Sequence, residues 1–279
     1  MTALTPEVAL PRRPAMHNPL APLATLARRR FQLTARTPRE LAVPLITPIL
    51  FALVIAPALK VALHTGTAYE SFVATGTIGL LIPLNTMFAG LSVIVDRESG
   101  AQRELLTAPI PRSLLVLGNL IVAFSITAFQ IAVLLAVAVA RGIHFDVTAT
   151  GALWFLGAGA LFAVGMYGVA ELLAGRVPKA EEYIARVPAI AIVPWFLAGS
   201  LFPIGALPGF LTWIARFLPL THVLALVRYG LLGNPAALHD IWGLGSTAAM
   251  AGLSLLVVGV FAAALTVLSI RGFSRSAVS

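Results

Sequence analysis

Six long stretches of this chain carry no charged residue except at their ends, and this pattern constrains the fold more than any other feature. A helix needs about 20 apolar residues to cross the hydrocarbon core of a bilayer, which is roughly 30 Å thick. The six predicted spans cover residues 41–60, 71–95, 113–140, 147–171, 187–202 and 241–270. The sequence therefore predicts an all-α integral membrane protein with six transmembrane helices, in one transmembrane domain over residues 20–279.

The composition supports a membrane protein without chemistry of its own. Hydrophobic residues make up 59% of the 279 residues and charged residues 11%, whereas an average soluble domain has about 25% charged residues. The absence of cysteine excludes disulfide bonds, thiolate metal ligands and cysteine nucleophiles. The spans hold no paired acids or metal-ligand set, and the chain has no Walker A pattern. We therefore expect no catalytic centre, no metal site and no bound cofactor.

Basic residues set the predicted orientation. Most of them lie in the N-terminal segment, in the loops after the second and fourth spans, and in the C-terminal tail, which six spans place on one side. The other side holds Lys60, Arg141, Arg216 and Arg228. Because Lys and Arg are enriched in cytoplasmic loops, both termini are predicted to be cytoplasmic, with the Pro-rich residues 1–19 as a disordered tail. Topology and anionic lipid explain the net charge of +8, so we expect no nucleic-acid partner.

An amphipathic segment precedes the first span. Residues 20–37 interleave apolar side chains, including Phe31, with the basic side chains of Arg28, Arg29 and Arg30. This pattern predicts a helix that lies in the interface of the inner leaflet. The alternative is a basic flank that only sets the topology of the first span.

The segment between the fifth and sixth spans is apolar but interrupted. Residues 203–233 contain Pro203, Pro208 and Pro219, together with Arg216 and Arg228. Irregular backbone at membrane depth persists only where protein or a water-filled cavity shelters it. The segment is therefore predicted to form short re-entrant or interfacial helices.

The loop after the second span alternates in charge along Asp96, Arg97, Glu98, Arg103 and Glu104. Gly100 permits a break in the helix there. The loop continues with Leu105, Leu106, Pro109 and Arg112. A short charged helix followed by prolines is suited to docking a soluble partner. The alternative is a solvated loop whose charges only end the flanking helices.

Residues 96–120, DRESGAQRELLTAPIPRSLLVLGNL, resemble the loop after the second span of ABC-2 type permeases. These proteins are the membrane subunits of type V ABC exporters, and the daunorubicin and multidrug-resistance branch is the most similar. A second resemblance lies in the family's segment between spans five and six. It is carried by Phe202, Pro203, Pro208, Pro219 and the sequence RYGLLG at residues 228–233.

The resemblance implies partners and roles. Family members pair two permease copies, as a homodimer or a paralogous heterodimer, with two ATPase subunits that bind ATP and Mg. Residues 96–112 would include the coupling helix that inserts into the ATPase, and residues 20–37 would be the elbow helix. Residues 203–233, with Phe202, Arg228 and Gly233, would form an outer gate. The expected location is the plasma membrane of a bacterium.

Three polar residues lie well inside the second and third spans: Asn85, Thr86 and Gln130. Polar groups at this depth commonly hydrogen-bond between helices. The alternative is that they contact a transported substrate.

The sequence thus favours the permease subunit of an ATP-driven exporter for a drug, lipid or lipid-linked glycan. The alternative is a secondary transporter or channel that works without an ATPase. A proton-driven carrier usually has ionisable groups at mid-membrane, and the uncharged spans lack them.

Overall fold

The computed structural model describes residues 24, 25, 28 and 32 and the ranges 45–64, 67–100 and 112–276. Within these residues every regular element is a helix, and no strand is present. The predicted all-α class is therefore confirmed. Helices suit the interior of a membrane because each helix satisfies its backbone hydrogen bonds within its own segment.

Nine helices, α1 to α9, are numbered here in chain order over the ranges 45–64, 67–100 and 112–276. The first four are α1 (Leu45–Ala62, with a π-helical turn at Phe51–Ile55), α2 (Thr67–Glu98), α3 (Arg112–Ala140) and α4 (Ala149–Ala174). The others are α5 (Ala180–Leu197), α6 (Gly209–Phe217), α7 (Pro219–Leu232), α8 (Ala236–Trp242) and α9 (Thr247–Ser276). A 3₁₀ turn, Ile204–Ala206, lies between α5 and α6.

Five of these helices are long and apolar enough to cross a membrane: α1, α2, α3, α4 and α9. The number is six if α6 and α7, which meet at 81°, count as one broken span. The first four coincide with predicted spans to within a few residues. The last span, α9, begins at Thr247 rather than at 241, because residues 236–242 form the separate helix α8. Gly243, whose φ of 65° is left-handed, follows α8 and ends it.

The fifth span differs most from its prediction of 187–202. The helix α5 begins earlier, with Glu181 and Glu182 in its first turn, and it ends at Leu197. Gly199 has a φ of 81°, which takes the chain out of the helical path. The apolar part of α5 is then about 16 Å long at 1.5 Å per residue, which is well short of the hydrocarbon thickness.

The helix α2 lies at the centre of the bundle and packs against α1, α3, α4, α5 and α7. Its buried face includes Val73, Ile78, Met87 and Ile94, each with no exposed surface. We call the end of the bundle at Glu98 the inner end and the end at Thr67 the outer end. The loop from α3 to α4 and the helix α8 lie at the outer end, since they share a cavity with Ala68 and Ser71.

Glycines allow two of the helices to touch backbone to backbone. A Cβ on Gly230 in α7 would meet the carbonyl oxygen of Gly151 in α4, and a Cβ on Gly151 would meet the carbonyl oxygen of Gly230. Small residues at such crossings let membrane helices approach closely. This crossing holds the outer end of α7 against the first turn of α4.

We expect Gly230→Ala to lower the thermal midpoint of the purified protein by several degrees. The added methyl group meets backbone atoms that cannot rotate away, and overpacking of this kind costs about 1–3 kcal/mol. The matched control is Gly157→Ala in α4, where the nearest atom is Leu255 Cδ1 at 4.0 Å. That change should leave the midpoint unchanged or raise it slightly, because Ala favours helix. Equal midpoints for the two variants, measured by intrinsic fluorescence, would contradict the crossing.

Candidate functional site

The inner end of α2 is fixed to the segment between α4 and α5 by Arg97. Its guanidinium donates to the carbonyl oxygens of Ala174 at 3.1 Å, Val177 at 2.6 Å and Pro178 at 3.1 Å. The last carbonyl groups of a helix have no partner within the helix, and the planar fork of arginine can bind several oxygens at once. Arg97 thus caps the end of α4 from a different helix.

Glu98 adds a second contact at the same place. Its Oε1 accepts a hydrogen bond from the backbone N–H of Ala180 at 3.1 Å, at the first residue of α5. A carboxylate at a helix N-terminus also interacts favourably with the helix dipole. The last turn of α2 therefore binds the end of α4 and the start of α5 together.

Tyr183 extends this attachment along α5. Its side chain is completely buried, and its hydroxyl donates to the carbonyl oxygen of Met87 in α2 at 2.7 Å. Gly90 leaves the room for this hydroxyl, because a Cβ there would meet it. The inner half of α5 is thus held against α2 by a hydrogen bond between two helix faces.

The outer end of α5 is attached to α2 as well. The indole N–H of Trp195 donates to the carbonyl oxygen of Gly76 at 2.7 Å, and the Tyr69 hydroxyl donates to the carbonyl oxygen of Leu201 at 2.7 Å. Ser200, fully buried, donates its hydroxyl to the carbonyl oxygen of Trp195 at 2.6 Å. A side chain on Gly76 would collide with the Ser200 carbonyl, so the two backbones lie in contact.

Arg228 in α7 completes the end of α5. Its Nη2 donates to the carbonyl oxygens of Gly199 at 2.8 Å and Ser200 at 3.1 Å, and its Cζ lies 3.5 Å from the centre of the Phe72 ring. The side chain is 5% exposed. None of the ion pairs formed in the described part of the chain includes Arg228. Carbonyl dipoles, the aromatic face and the more distant carboxylate of Asp240 stabilise this buried cation.

The remaining outer residues of the predicted gate lie at helix boundaries. Phe202 and Pro203 are exposed just before the 3₁₀ turn, and Pro208 is the N-cap of α6. Pro219 begins α7, and Gly233 ends it with a φ of 62°. Proline is favoured at a first helical turn and glycine just past a helix end. That this segment re-enters the membrane and gates a pathway stays a prediction.

Two of the three mid-span polar residues contact each other. The Nδ2 of Asn85 in α2 donates to Oε1 of Gln130 in α3 at 2.7 Å. Thr86 is buried and donates to the carbonyl oxygens of Ile82 and Pro83 in its own helix. The contact between Asn85 and Gln130 is of the kind that joins helices, whereas Thr86 bonds only within α2. A contact of these residues with substrate stays a prediction.

Several predicted site residues lie outside the described part of the chain, or are described only in part. Those outside are Arg29, Arg30, Phe31, Arg103, Glu104, Leu105, Leu106 and Pro109. Arg28 is a helical, exposed residue, and Arg112 is the first residue of α3. Asp96 is half-buried in the last turn of α2, and Gly100 follows that helix with a φ of 78°. The elbow helix and the coupling helix accordingly stay predictions.

An ion cluster at the outer end escaped the sequence analysis. The buried carboxylate of Glu70 lies 3.3 Å from Lys60 Nζ and 3.8 Å from Arg141 Nη2. It joins the ends of α1 and α3 to the start of α2. The sequence places all three charged residues beside predicted spans on the same side of the membrane. Their pairing could not be predicted, because it depends on how the helices pack.

A second missed contact involves a serine and a histidine. His222 Nδ1 lies 3.2 Å from Ser254 Oγ, and its Nε2 lies 2.9 Å from the carbonyl oxygen of Arg216. The indole of Trp242 donates to the same serine oxygen at 2.8 Å. Both His222 and Ser254 are almost completely buried, so this arrangement joins α7, α8 and α9 and is closed to a substrate.

Comparison with protein families adds the decisive observation. The family model described as ABC-2 type transporter matches residues 22–232, which is more than half of the chain. The chain belongs to the ABC-2 type transporter family. It is thus a multi-pass permease and the membrane subunit of an ABC transporter, without catalysis of its own, and its family implies an ATP-binding partner subunit.

Two relatives of this ABC-2 permease cover most of its length. The transport permease ycf38 of Porphyra purpurea is 24% identical over 212 residues, which are 74% of this chain and 72% of the relative. Nodulation protein J of Rhizobium leguminosarum bv. trifolii is 29% identical over 203 residues, 70% of this chain and 74% of the relative. Both similarities extend over most of the helical bundle.

We expect Arg97→Ala to loosen the loop between α4 and α5. The variant loses the three hydrogen bonds that the charged guanidinium donates, so the carbonyl groups at the end of α4 lose this donor. The expected loss in the free energy of unfolding is about 1–3 kcal/mol. Trypsin should then cleave faster after Arg176 and Lys179 in vesicles that expose this face.

The control for this prediction is Arg186→Ala. Arg186 is exposed and makes one ion pair with Glu182 at 3.8 Å, a type of contact worth about 0.3–0.5 kcal/mol. Cleavage after Arg176 and Lys179 should stay at the wild-type rate in this variant. If Arg97→Ala were also cleaved at the wild-type rate, the attachment of α2 to this loop would be refuted.

Proposed function

We propose that this chain is the permease subunit of an exporter that moves a hydrophobic or amphipathic substrate outward across the plasma membrane of a bacterium. ATP hydrolysed on a separate subunit would supply the free energy, and both termini would lie in the cytoplasm. Membership of the ABC-2 family and the apolar helices support this proposal. The bias of basic residues supports the orientation.

The attachment at Arg97 and Glu98 is the observation that carries the proposed mechanism. The charged segment 96–112 begins on the last turn of α2, where these two side chains bind the end of α4 and the start of α5. A partner that pushes on residues 101–111 would therefore move α2, and with it α5. Coupling requires a stiff element with two arrangements rather than a flexible loop.

The proposed complex contains two copies of the ATPase and a second permease copy, identical or paralogous. The charges at Arg103 and Glu104 would form ion pairs with the ATPase. Loss of one partner of a desolvated pair costs a few kcal/mol, much of it from leaving the other charge unpaired.

The proposed cargo is a drug, a lipid or a lipid-linked glycan. The loop motif at residues 96–120 favours the daunorubicin and multidrug-resistance branch. An apolar cavity of about 220 Å³ lies between α2, α3 and α4, lined by Ile82, Phe124, Ile131 and Phe155 among others. Such walls suit hydrocarbon chains or aromatic rings. Asn85 and Gln130 would then stabilise the neighbouring contact between α2 and α3.

The proposal predicts that Arg103→Glu weakens assembly with the ATPase at least tenfold, whereas Arg275→Glu near the C-terminal end of α9 does not. Both changes reverse one cytoplasmic charge, but only the first would place a carboxylate in the docking surface. Affinity can be measured by titrating detergent-solubilised permease with the purified ATPase, and coupling by ATP-dependent transport in vesicles.

Both variants should insert into the membrane at the wild-type level, which excludes a general folding defect. Wild-type assembly and transport by Arg103→Glu would contradict the docking role. Transport by the wild-type chain in vesicles without any ATPase would instead support the secondary transporter or channel.

A further inference from the structure

The short helix α6 carries an uncovered aromatic face. Phe210, Trp213 and Phe217 are exposed by 69%, 64% and 67%. Their spacing of three and four residues places them on one side of the helix, and the rings of Trp213 and Phe217 lie 4.8 Å apart between their centroids. Ile214, which is 40% exposed, widens the same face. A group of exposed large apolar side chains indicates a surface with an apolar partner.

The opposite face of α6 packs on the protein at its outer end. Ala215 has no exposed surface, and the Thr212 hydroxyl donates to the carbonyl oxygens of Ile204 at 3.0 Å and Leu207 at 3.1 Å. Ile204 also lines a cavity of about 440 Å³, here called the outer cavity. The other walls of the outer cavity come from the start of α2, the loop between α3 and α4, the end of α5, and the helices α7 and α8.

The depth of α6 follows from its junction with α7. Leu218 joins the two helices, and a Cβ on Gly79 of α2 would meet the side chain of Leu224 and lie 3.4 Å from Cδ1 of Leu220. The start of α7 is therefore level with Gly79. The helical rise from Gly79 to Asp96, the charge at the inner end of α2, is about 25 Å. Because the hydrocarbon core is about 30 Å thick, the junction lies close to the outer boundary of that core.

The direction of α6 is set by the same junction. The helix α7 runs along α2 toward the outer end, since Leu224 contacts Gly79 and Arg228 reaches the ring of Phe72. The two helices meet at 81°. It follows that α6 lies across the bundle, near the plane of the membrane. Amphipathic helices bound at a membrane surface have this orientation.

The residue types on α6 favour a lipid surface over a second protein surface. Tryptophan is enriched where hydrocarbon meets the head groups. Arg216 is exposed, follows Trp213 by three residues and so lies at the edge of the aromatic face. Within the ranges 45–64, 67–100 and 112–276, none of the ion pairs includes Arg216. A bilayer provides hydrocarbon for the rings and, directly above it, phosphate groups that a long basic side chain can reach.

We propose that α6 is a lipid anchor in the outer leaflet. The rings of Phe210, Trp213 and Phe217 lie in hydrocarbon just below the phosphate groups, and the Arg216 guanidinium contacts those phosphates. The anchor holds the junction at Leu218, and with it the start of α7, at a fixed depth. This contact with lipid does not depend on the ATPase or on the cargo proposed above.

Spin labels on the full chain test the anchor. Because the chain has no cysteine, Phe210→Cys and Phe217→Cys can each carry one nitroxide in phosphatidylcholine vesicles. Oxygen concentrates in hydrocarbon and a neutral nickel chelate stays in water, so the ratio of their collision rates with the nitroxide gives its depth. Both labels should lie about 5–10 Å below the phosphate groups.

Two control positions calibrate this depth. Val260→Cys lies near the middle of α9 at a side chain that is 61% exposed, and Asn234→Cys lies at an exposed residue after α7. The first label should be deeper than those on α6, and the second should collide mainly with the nickel chelate. Labels on α6 that are as accessible to nickel as residue 234 would place the face in water. Labels protected from both reagents would place it against protein. Either result overturns the anchor.

The native Trp213 tests the same contact without a label. Lipids with bromine high on the acyl chain quench only those indoles that they touch, and Trp213 is the most exposed of the four tryptophans. We expect Trp213→Phe to lose the larger part of the quenching seen in the wild type. Trp195→Phe is the matched control, because Trp195 is 2% exposed, and it should keep that quenching. Equal quenching of the wild type and Trp213→Phe would refute the anchor.

Nanodiscs that hold one or two permease copies distinguish lipid from a second copy as the partner of this face. The collision rate of oxygen with the labels at residues 210 and 217 should be the same in both kinds of disc. A loss of these collisions only in discs with two copies would make the aromatic face an interface between permeases, and the lipid anchor would be wrong.

Discussion

The last carbonyl groups of a helix that ends inside an apolar bundle need hydrogen-bond donors other than water. The outer end of α5 is built around this requirement. Ser200 donates to the carbonyl oxygen of Trp195, Arg228 to those of Gly199 and Ser200, and Tyr69 to that of Leu201. These donors come from the end of α5 itself, from α7 and from α2. The break at Gly199 is thus the point where three parts of the chain meet.

The inner end of α5 is also attached to α2. There the donors and acceptors come from the last turn of α2, through Arg97 and Glu98, while Tyr183 binds the middle of α2. The helices α2 and α5 are therefore joined at the inner end, along their length and at the outer end. A force on the inner end of such a pair reaches the outer cavity without passing through a flexible segment, which is what a coupled transporter needs.

Much of the fold could be predicted because a helix that crosses lipid must be apolar and uncharged over most of its length. The charge-free stretches located α1, α2, α3 and α4 to within a few residues. The end of α5 could not be located in this way, since residues 198–202 are as uncharged as the helix before them. The break depends on the left-handed backbone of Gly199 and on donors that are distant in sequence.

The candidate site, like the fold, could be predicted from the sequence only in part. Asp96, Arg97 and Glu98 stood out as a charged end of a span, but a sequence pattern gives no partner, and Arg97 in fact binds three carbonyl groups of its own chain. Arg228 stood out as a charge in an apolar segment, while the cavity beside it required five separate parts of the chain. Glu70 was not singled out at all, because its ion pairs with Lys60 and Arg141 depend on helix packing.

The most direct test is the distance between the inner end of α2 and the outer half of α5 in the working complex. The chain has no cysteine, so Ser99→Cys and Val193→Cys can carry spin labels without background, in complexes with one labelled permease copy. Pulsed electron resonance should give one distance that changes by less than about 2 Å between the nucleotide-free and ATP-bound states. A shift of several ångströms, or two populations whose ratio follows the nucleotide, would show that α2 and α5 move separately and would contradict the proposed coupling.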